Sequence, residues 1–233
     1  MKYIVYTVFG LLPSIIWLLF YLRKDSHPES NGMILKVFFY GMISALPAFF
    51  MERGFASVVP NYESIIFLLL HAFVGIAFIE EILKYLVVKF MVIHNCEFDE
   101  PIDAVLYMII AALGFAAVEN FLYLAFPGSP FNFVDTLVLS GLRFLGATLL
   151  HALCSGTIGY FIALSFFGIK NRRRILYAGI LISTILHGLF NFSIMNAVGM
   201  LDLLIPALIL IGLATFLSLA IQRLKKIKSV CII

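Results

Sequence analysis

The chain has 233 residues, of which 63% are hydrophobic and only 12% charged, with a mean hydropathy of +1.07. A soluble domain of this length does not need so much apolar side chain, so the composition points to a protein that crosses a membrane several times. The net charge of +3 is small and its carriers sit in loops and the tail, "KNRRR" (Lys170–Arg174) and "RLKKIK" (Arg223–Lys228) above all, which fits loop charge and not a nucleic-acid surface. Cys96, Cys154 and Cys231 show no CxxC spacing and no disulfide framework.

Seven apolar runs follow in chain order, at roughly 3–22, 34–51, 65–94, 102–126, 142–169, 175–197 and 201–222. They are longer than barrel strands, and in lipid the backbone must satisfy its own hydrogen bonds, so each reads as a helix. The expected fold is an all-α, polytopic transmembrane bundle of about seven spans in a single domain, 1–233. The first run ends in "LLFYLRKDS" with no small-residue cleavage site and reads as a retained span. Pro47 and Pro206 are expected to kink spans two and seven. Arg23, Lys24, Lys36, Lys170, Arg172, Arg173, Arg174 and the C-terminal cluster fall on one side of a seven-span chain, Lys2 and Arg53 on the other. The positive-inside rule then places the N-terminus outside and the C-terminus in the cytoplasm. Segment 97–103, "EFDEPID", reads as a solvated acidic loop, His71 as packing, and Arg143 as a side chain that snorkels to the outer surface.

Spans three to six carry residues that a lipid-facing helix excludes. Span three holds "FIEEILKYL" with Glu80, Glu81 and Lys84; span four holds "GFAAVENFLYL" with Glu119 and Asn120. Span five holds "HALCSG" with His151 and Ser155; span six holds "LHGLFNF" with His187 and Asn191. Each intramembrane charge costs at least a few kcal/mol, so such groups face the bundle interior and find partners. Glu80/Lys84, Phe115/Glu119, His151/Ser155 and His187/Asn191 are i, i+4 pairs, each on one helix face. At ~1.5 Å per residue, counts from the cytoplasmic ends lift all four groups to roughly 20–27 Å, one layer in the outer half of the core. Polar glue between helices has no reason to share a depth. Two adjacent carboxylates, a third carboxylate and two imidazoles in one dry layer suit general acid/base chemistry. A Zn²⁺ site from the same His and Glu set stays open, as does a weak Ser155–His187 hydrolase reading. There is no HExxH and no GxGD, and "LCSG" lacks the first glycine of GxSG.

Those four motifs, in that order and with "FDEPIDAVLYM" ahead of the second, resemble the PrsW family. These are bacterial intramembrane proteases related to the CAAX protease and bacteriocin-processing superfamily. The resemblance covers spans three to six (catalytic core about 65–197); the flanking spans carry no motif of their own. It implies catalytic roles for Glu80, Glu81 and His187, active-site membership for Glu119 and His151, and support from Lys84, Asn120, Ser155 and Asn191. It also implies site-1 cleavage of a single-span anti-sigma factor in the bacterial cell membrane, which activates an extracytoplasmic-function sigma factor. Some relatives have Asp at the position of Asn191, and the wider superfamily often has His at that of Glu119. Superfamily likeness favours a glutamate-activated water without metal, although the PrsW family carries a metalloprotease label. A proton or cation carrier, whose relays usually string groups across the membrane, and a non-catalytic immunity or scaffold protein are the readings from other classes.

Overall fold

The computed structural model describes residues 2–25, 27–59, 64–126, 133–167, 172–197 and 199–227. Lys170, Lys228, Cys231 and the stretch 60–63 lie outside the described residues. Seven helical stretches are long and apolar enough to cross a membrane: Tyr3–Leu22, Asn31–Val58, Ile65–Met91, Pro101–Ala125, Phe133–Phe167, Arg172–Met195 and Leu204–Leu224. No strand occurs among the described residues. In helices, the chain runs α1 (Lys2–Leu22), α2 (Asn31–Val58), α3 (Ile65–Leu70), a π-helical stretch (His71–Phe78), α4 (Ile79–Met91), α5 (Pro101–Ala125), α6 (Phe133–Leu145), α7 (Ala147–Phe167), α8 (Arg172–Met195) and α9 (Leu204–Leu224).

α5 is the axis of the bundle. Every residue from Pro101 to Ala117 is buried, with α1, α2 and α7 packed around it. Lipid tails are as apolar as leucine, so helices in a bilayer gain by close van der Waals contact, which small residues permit. Gly114 of α5 lies against the backbone of Phe38, and Gly41 of α2 against that of Ala111. Gly159 of α7 meets the backbone of Ala104 and Val105, so close that an added Cβ would sit 2.6 Å from Val105 Cα. These contacts fix the register of three helices. α2 and α5 run parallel, with Gly41 level with Ala111 and Ala48 packed in one cluster with Phe115.

The structure differs from the sequence reading at several boundaries. α2 continues to Val58 where hydropathy ended span two near residue 51, because Glu52 and Arg53 dilute the apolar signal without breaking the helix. The fifth span begins earlier, at Phe133, and is two helices separated at Gly146; Asp135 and Arg143 had lowered the hydropathy of its first part. Helix α2 runs through Pro47. Pro206 falls in the first turn of α9, where its missing N–H removes no intrahelical bond. The "EFDEPID" stretch is only partly a solvated loop. Asp103 is 2% exposed, and its Oδ2 accepts from the N–H groups of Glu100 at 2.6 Å and Asp99 at 3.1 Å. With Pro101 as the first helical residue it builds the start of α5.

Candidate active site

Span three changes its winding just before the paired glutamates. His71–Phe78 is π-helical, and π turns within α-helices occur frequently at functional sites. Glu80 and Glu81 then occupy the first turn of α4, with Lys84 one turn on. All three are buried, as are His151 of α7 and His187 of α8. Glu119, near the far end of α5, leaves 22% of its side chain exposed.

The Lys84 ammonium is the hub. Nζ lies 3.0 Å from Glu80 Oε2, 2.9 Å from Glu81 Oε1 and 2.8 Å from His151 Nδ1, and 4.4 Å above the Phe115 ring. An ammonium has three protons and accepts nothing, so all three bonds run outward from it. His151 Nδ1 must therefore be an acceptor, and its Nε2 carries the proton that faces Glu119 Oε2 at 2.7 Å. This tautomer follows from the donors and acceptors around the ring. Both oxygens of Glu81 are engaged: besides Lys84 on Oε1, it accepts from Ser155 Oγ on Oε2 at 2.7 Å, and Oε1 faces His187 Nδ1 at 2.9 Å. Glu80 is not saturated. Its Oε2 meets Lys84 and lies 3.8 Å from His187 Nε2, while its Oε1 has no hydrogen-bond partner among the described residues. His151 and His187 meet edge to face, ring centres 5.1 Å apart. Bundle packing has thus brought Glu80, Glu81, Glu119, His151 and His187 into one hydrogen-bonded cluster, with Lys84 and Ser155 inside it.

Two predicted supporting residues stand further out. Asn120 donates to Thr148 Oγ1 at 3.0 Å and to the Gly10 carbonyl at 3.3 Å, tying α5 to α7 and α1. Asn191, one turn beyond His187, is partly exposed and makes no hydrogen bond to the cluster among the described residues. Cys154 is fully buried in the apolar core.

Two members were not legible as such. Arg143 does not snorkel outward as the sequence reading had it. Its Nη2 is 3.0 Å from Glu119 Oε2, its Nε donates to Asn120 Oδ1, and its guanidinium lies 4.1 Å above the Tyr123 ring. The guanidinium is thus held between a partly exposed carboxylate and the buried Asn120 amide. Glu52 is the other. It lies one turn past Ala48 on α2, the helix whose Ala45 and Ala48 pack against Phe115, near enough to the cluster for its charge to be felt there. Ending span two at residue 51 had placed it in a loop. The hint available for Arg143 was its spacing of about two helical turns before His151.

The side chains of Glu80, Glu81, His151 and His187 offer ligand atoms within 4.8 Å of one another, which is compact enough to ask whether a metal ion fits. Zn²⁺ holds its ligands at roughly 2.0–2.2 Å. Three of the four residues, however, already meet the Lys84 ammonium at 2.8–3.0 Å. A dication between them would share their shell with a fixed positive charge. As arranged, the set fits Lys84 and does not fit a metal ion beside it.

Comparison with known proteins identifies the family. The family described as PrsW family intramembrane metalloprotease matches residues 29–220. A protein named Protease PrsW from Geobacillus kaustophilus is 32% identical over 80% of this chain and 78% of its own length. Its namesake from Oceanobacillus iheyensis is 29% identical over 93% of both chains, and that from Bacillus subtilis 29% identical over 78% of this chain and 79% of its own. No solved structure matches.

Proposed function

Because this multi-pass membrane chain belongs to the PrsW family of intramembrane proteases, we propose that it is an endopeptidase that hydrolyses its substrate with a water activated by Glu80. The observation that carries this reading is the unequal state of the paired glutamates. Glu81 has both oxygens engaged by Lys84, Ser155 and His187, whereas Glu80 keeps Oε1 for a reacting water. In the proposed step Glu80 takes a proton from water, and the hydroxide adds to the scissile carbonyl carbon. His187, when doubly protonated against the Glu81 carboxylate, turns Nε2–H toward the developing oxyanion. Collapse breaks the C–N bond, and Glu80 returns its proton to the departing amine. Lys84 supplies the fixed positive charge of the site, so no step needs a metal ion. Glu81 and Ser155 orient, and Asn191, one turn beyond His187 and partly exposed, is assigned as a further donor to the substrate.

The substrate class follows from the family resemblance and from depth. We assign it as a single-span membrane protein, an anti-sigma factor cut at site 1 in a bacterial plasma membrane. Arg23, Lys24, Lys89, Arg172, Arg173, Arg174, Arg223, Lys225 and Lys226 gather at one end of the bundle, which assigns that end to the cytoplasm and the N-terminus to the outside. The cluster lies toward the opposite end, in the last turns of α5 and the first turns of α7, so the cut falls in the outer half of the substrate's span. The stretch 52–73, beside Glu52 and the π-helical turns, is the proposed gate.

The test is purified protein in vesicles with a single-span reporter, and the new N-terminus read by mass spectrometry. A cut in the outer half, retained in chelator, is expected. A cut in the cytoplasmic third refutes the orientation. Loss of activity in chelator with recovery on Zn²⁺ refutes the metal-free reading.

A further inference from the structure

Arg143 belongs to no motif, sits on a helix outside the four that carry them, and touches no group of the proposed reaction directly. It nonetheless ends a continuous line of polar contacts. Nη2 is 3.0 Å from Glu119 Oε2; that same oxygen is 2.7 Å from His151 Nε2. His151 Nδ1 is 2.8 Å from Lys84 Nζ, and Nζ is 3.0 Å from Glu80 Oε2. The Arg143–Glu119 link is an ion pair in which Nη2 makes no well-aligned hydrogen bond, and the direction of each link beyond it is settled by chemistry. Guanidinium only donates, carboxylate only accepts, and ammonium only donates. The imidazole between Glu119 and Lys84 can satisfy both neighbours in one tautomer, with the proton on Nε2.

We propose that Arg143 is a positioning residue for hydrolysis: its positive charge keeps Glu119 an acceptor, which sets the His151 tautomer and thereby the place of Lys84 against Glu80. Without a cation on its outer side, Glu119 can hold a proton and donate it to His151 Nε2. The imidazole proton then belongs on Nδ1, which can offer it only to Glu80 Oε2, 3.5 Å away, and no longer accepts the bond from the Lys84 ammonium. That bond cannot form, and Lys84 loses one of the three anchors that hold it between the glutamates. A charge placed by α6 so decides how the base on α4 is held, through α5 and α7. The proposal rests on Glu80 as base only for its effect on rate; the tautomer itself is independent of that reading.

Two substitutions separate charge from simple stapling. Arg143→Lys keeps the charge near Glu119 and loses the fork to Asn120; Arg143→Gln is neutral and, being shorter, keeps an amide only where Nε meets Asn120. With reporter cleavage as the readout, we expect Arg143→Gln to lower kcat by about 10–100-fold at little change in KM, and Arg143→Lys to recover most of it. Equal activity of the two variants overturns the proposal in favour of a staple. The second measurement needs no activity: ¹⁵N spectra of histidine-labelled protein, with His151 assigned by its loss in a folded His151→Asn variant. The wild type should show His151 protonated on Nε2, and Arg143→Gln should lose that signature while Arg143→Lys keeps it. A wild-type His151 protonated on Nδ1 overturns the proposal outright, whatever the protease assay gives. A wild type with the expected tautomer but no cleavage of any reporter removes the proposed function and leaves the polarity of the chain standing.

Discussion

α5 has an ionisable cluster at each end, and the two are built on different terms. At its Glu119 end, Glu80, Glu81 and Glu119 are met by Lys84 and Arg143 through fixed contacts of 2.9–3.0 Å. At its Pro101 end, Glu29, Glu97 and Asp103 gather around the Tyr107 hydroxyl, which is 2.6 Å from Glu29 Oε2 and 3.3 Å from Glu97 Oε2. Ser30 donates to Glu97 at 2.8 Å, backbone N–H groups serve Asp103, and exposed His27 lies 2.8 Å from Glu100. At the Glu119 end resident cations meet the carboxylates, and the Lys84 ammonium dictates which way its hydrogen bonds point. Near the membrane surface, hydroxyls, backbone and solvent suffice, and the carboxylates serve to hold two loops to the start of α5. The first arrangement can be committed to proton transfer; the second is a clasp.

The sharpest way to break this contrast is Glu80→Gln. It keeps shape and the bond to Lys84 but cannot take a proton, and cleavage should fall by about 10²–10⁴-fold while the protein still inserts and folds. Near-normal cleavage of the reporter would remove Glu80 from its assigned role. Lys84→Met comes next. It strands buried carboxylates, and we expect a loss of about 3–5 kcal/mol, read as a lower unfolding temperature in detergent, together with loss of activity. A variant as stable as the parent would mean that the Glu119-end cluster does not depend on its cation.

At the other end Tyr107→Phe should cost about 1–3 kcal/mol, since it leaves two carboxylates short of a donor. Activity per folded molecule should stay unchanged, and a large drop in kcat would show that the clasp and the site are coupled. The smallest effect is a pH dependence. Burial pushes the Glu29 carboxyl above its ordinary value, so the folded state holds a proton there more tightly than the unfolded chain. Between the two values stability must fall as pH rises and recover on acidification. Glu29→Gln should flatten that slope in unfolding curves taken across the window.

The spans and the four motifs were legible because both are carried by local pattern. Long apolar runs announce helices, and i, i+4 pairs of Glu, His and Lys announce inward faces. Lone charges beside a hydropathy boundary were not legible. Glu52 and Arg143 each lie where a side chain could equally reach water, and only the register set by Gly41, Gly114 and Gly159 turns them to the site. Asp103 was hidden differently: three acidic residues, Glu97, Asp99 and Glu100, lie shortly before it, and its burial comes from packing of α5 by three other helices. The hub role of Lys84 lies between the two cases. Its spacing from Glu80 was visible, but its bond to His151 is made across α4 and α7 and has no local signature.

The π-helical winding of His71–Phe78 has an evolutionary consequence. A π turn accommodates an extra residue without ending the helix. Span three can therefore gain or lose a residue in this stretch with the change absorbed as winding. Ile65–Leu70 would rotate, while Glu80 and Glu81 stay held by Lys84, Ser155 and His187. Length variation in homologous sequences should accordingly be tolerated between residues 71 and 78 and purged between Ile79 and Lys84, where a single insertion would turn one of the paired glutamates away from the cluster.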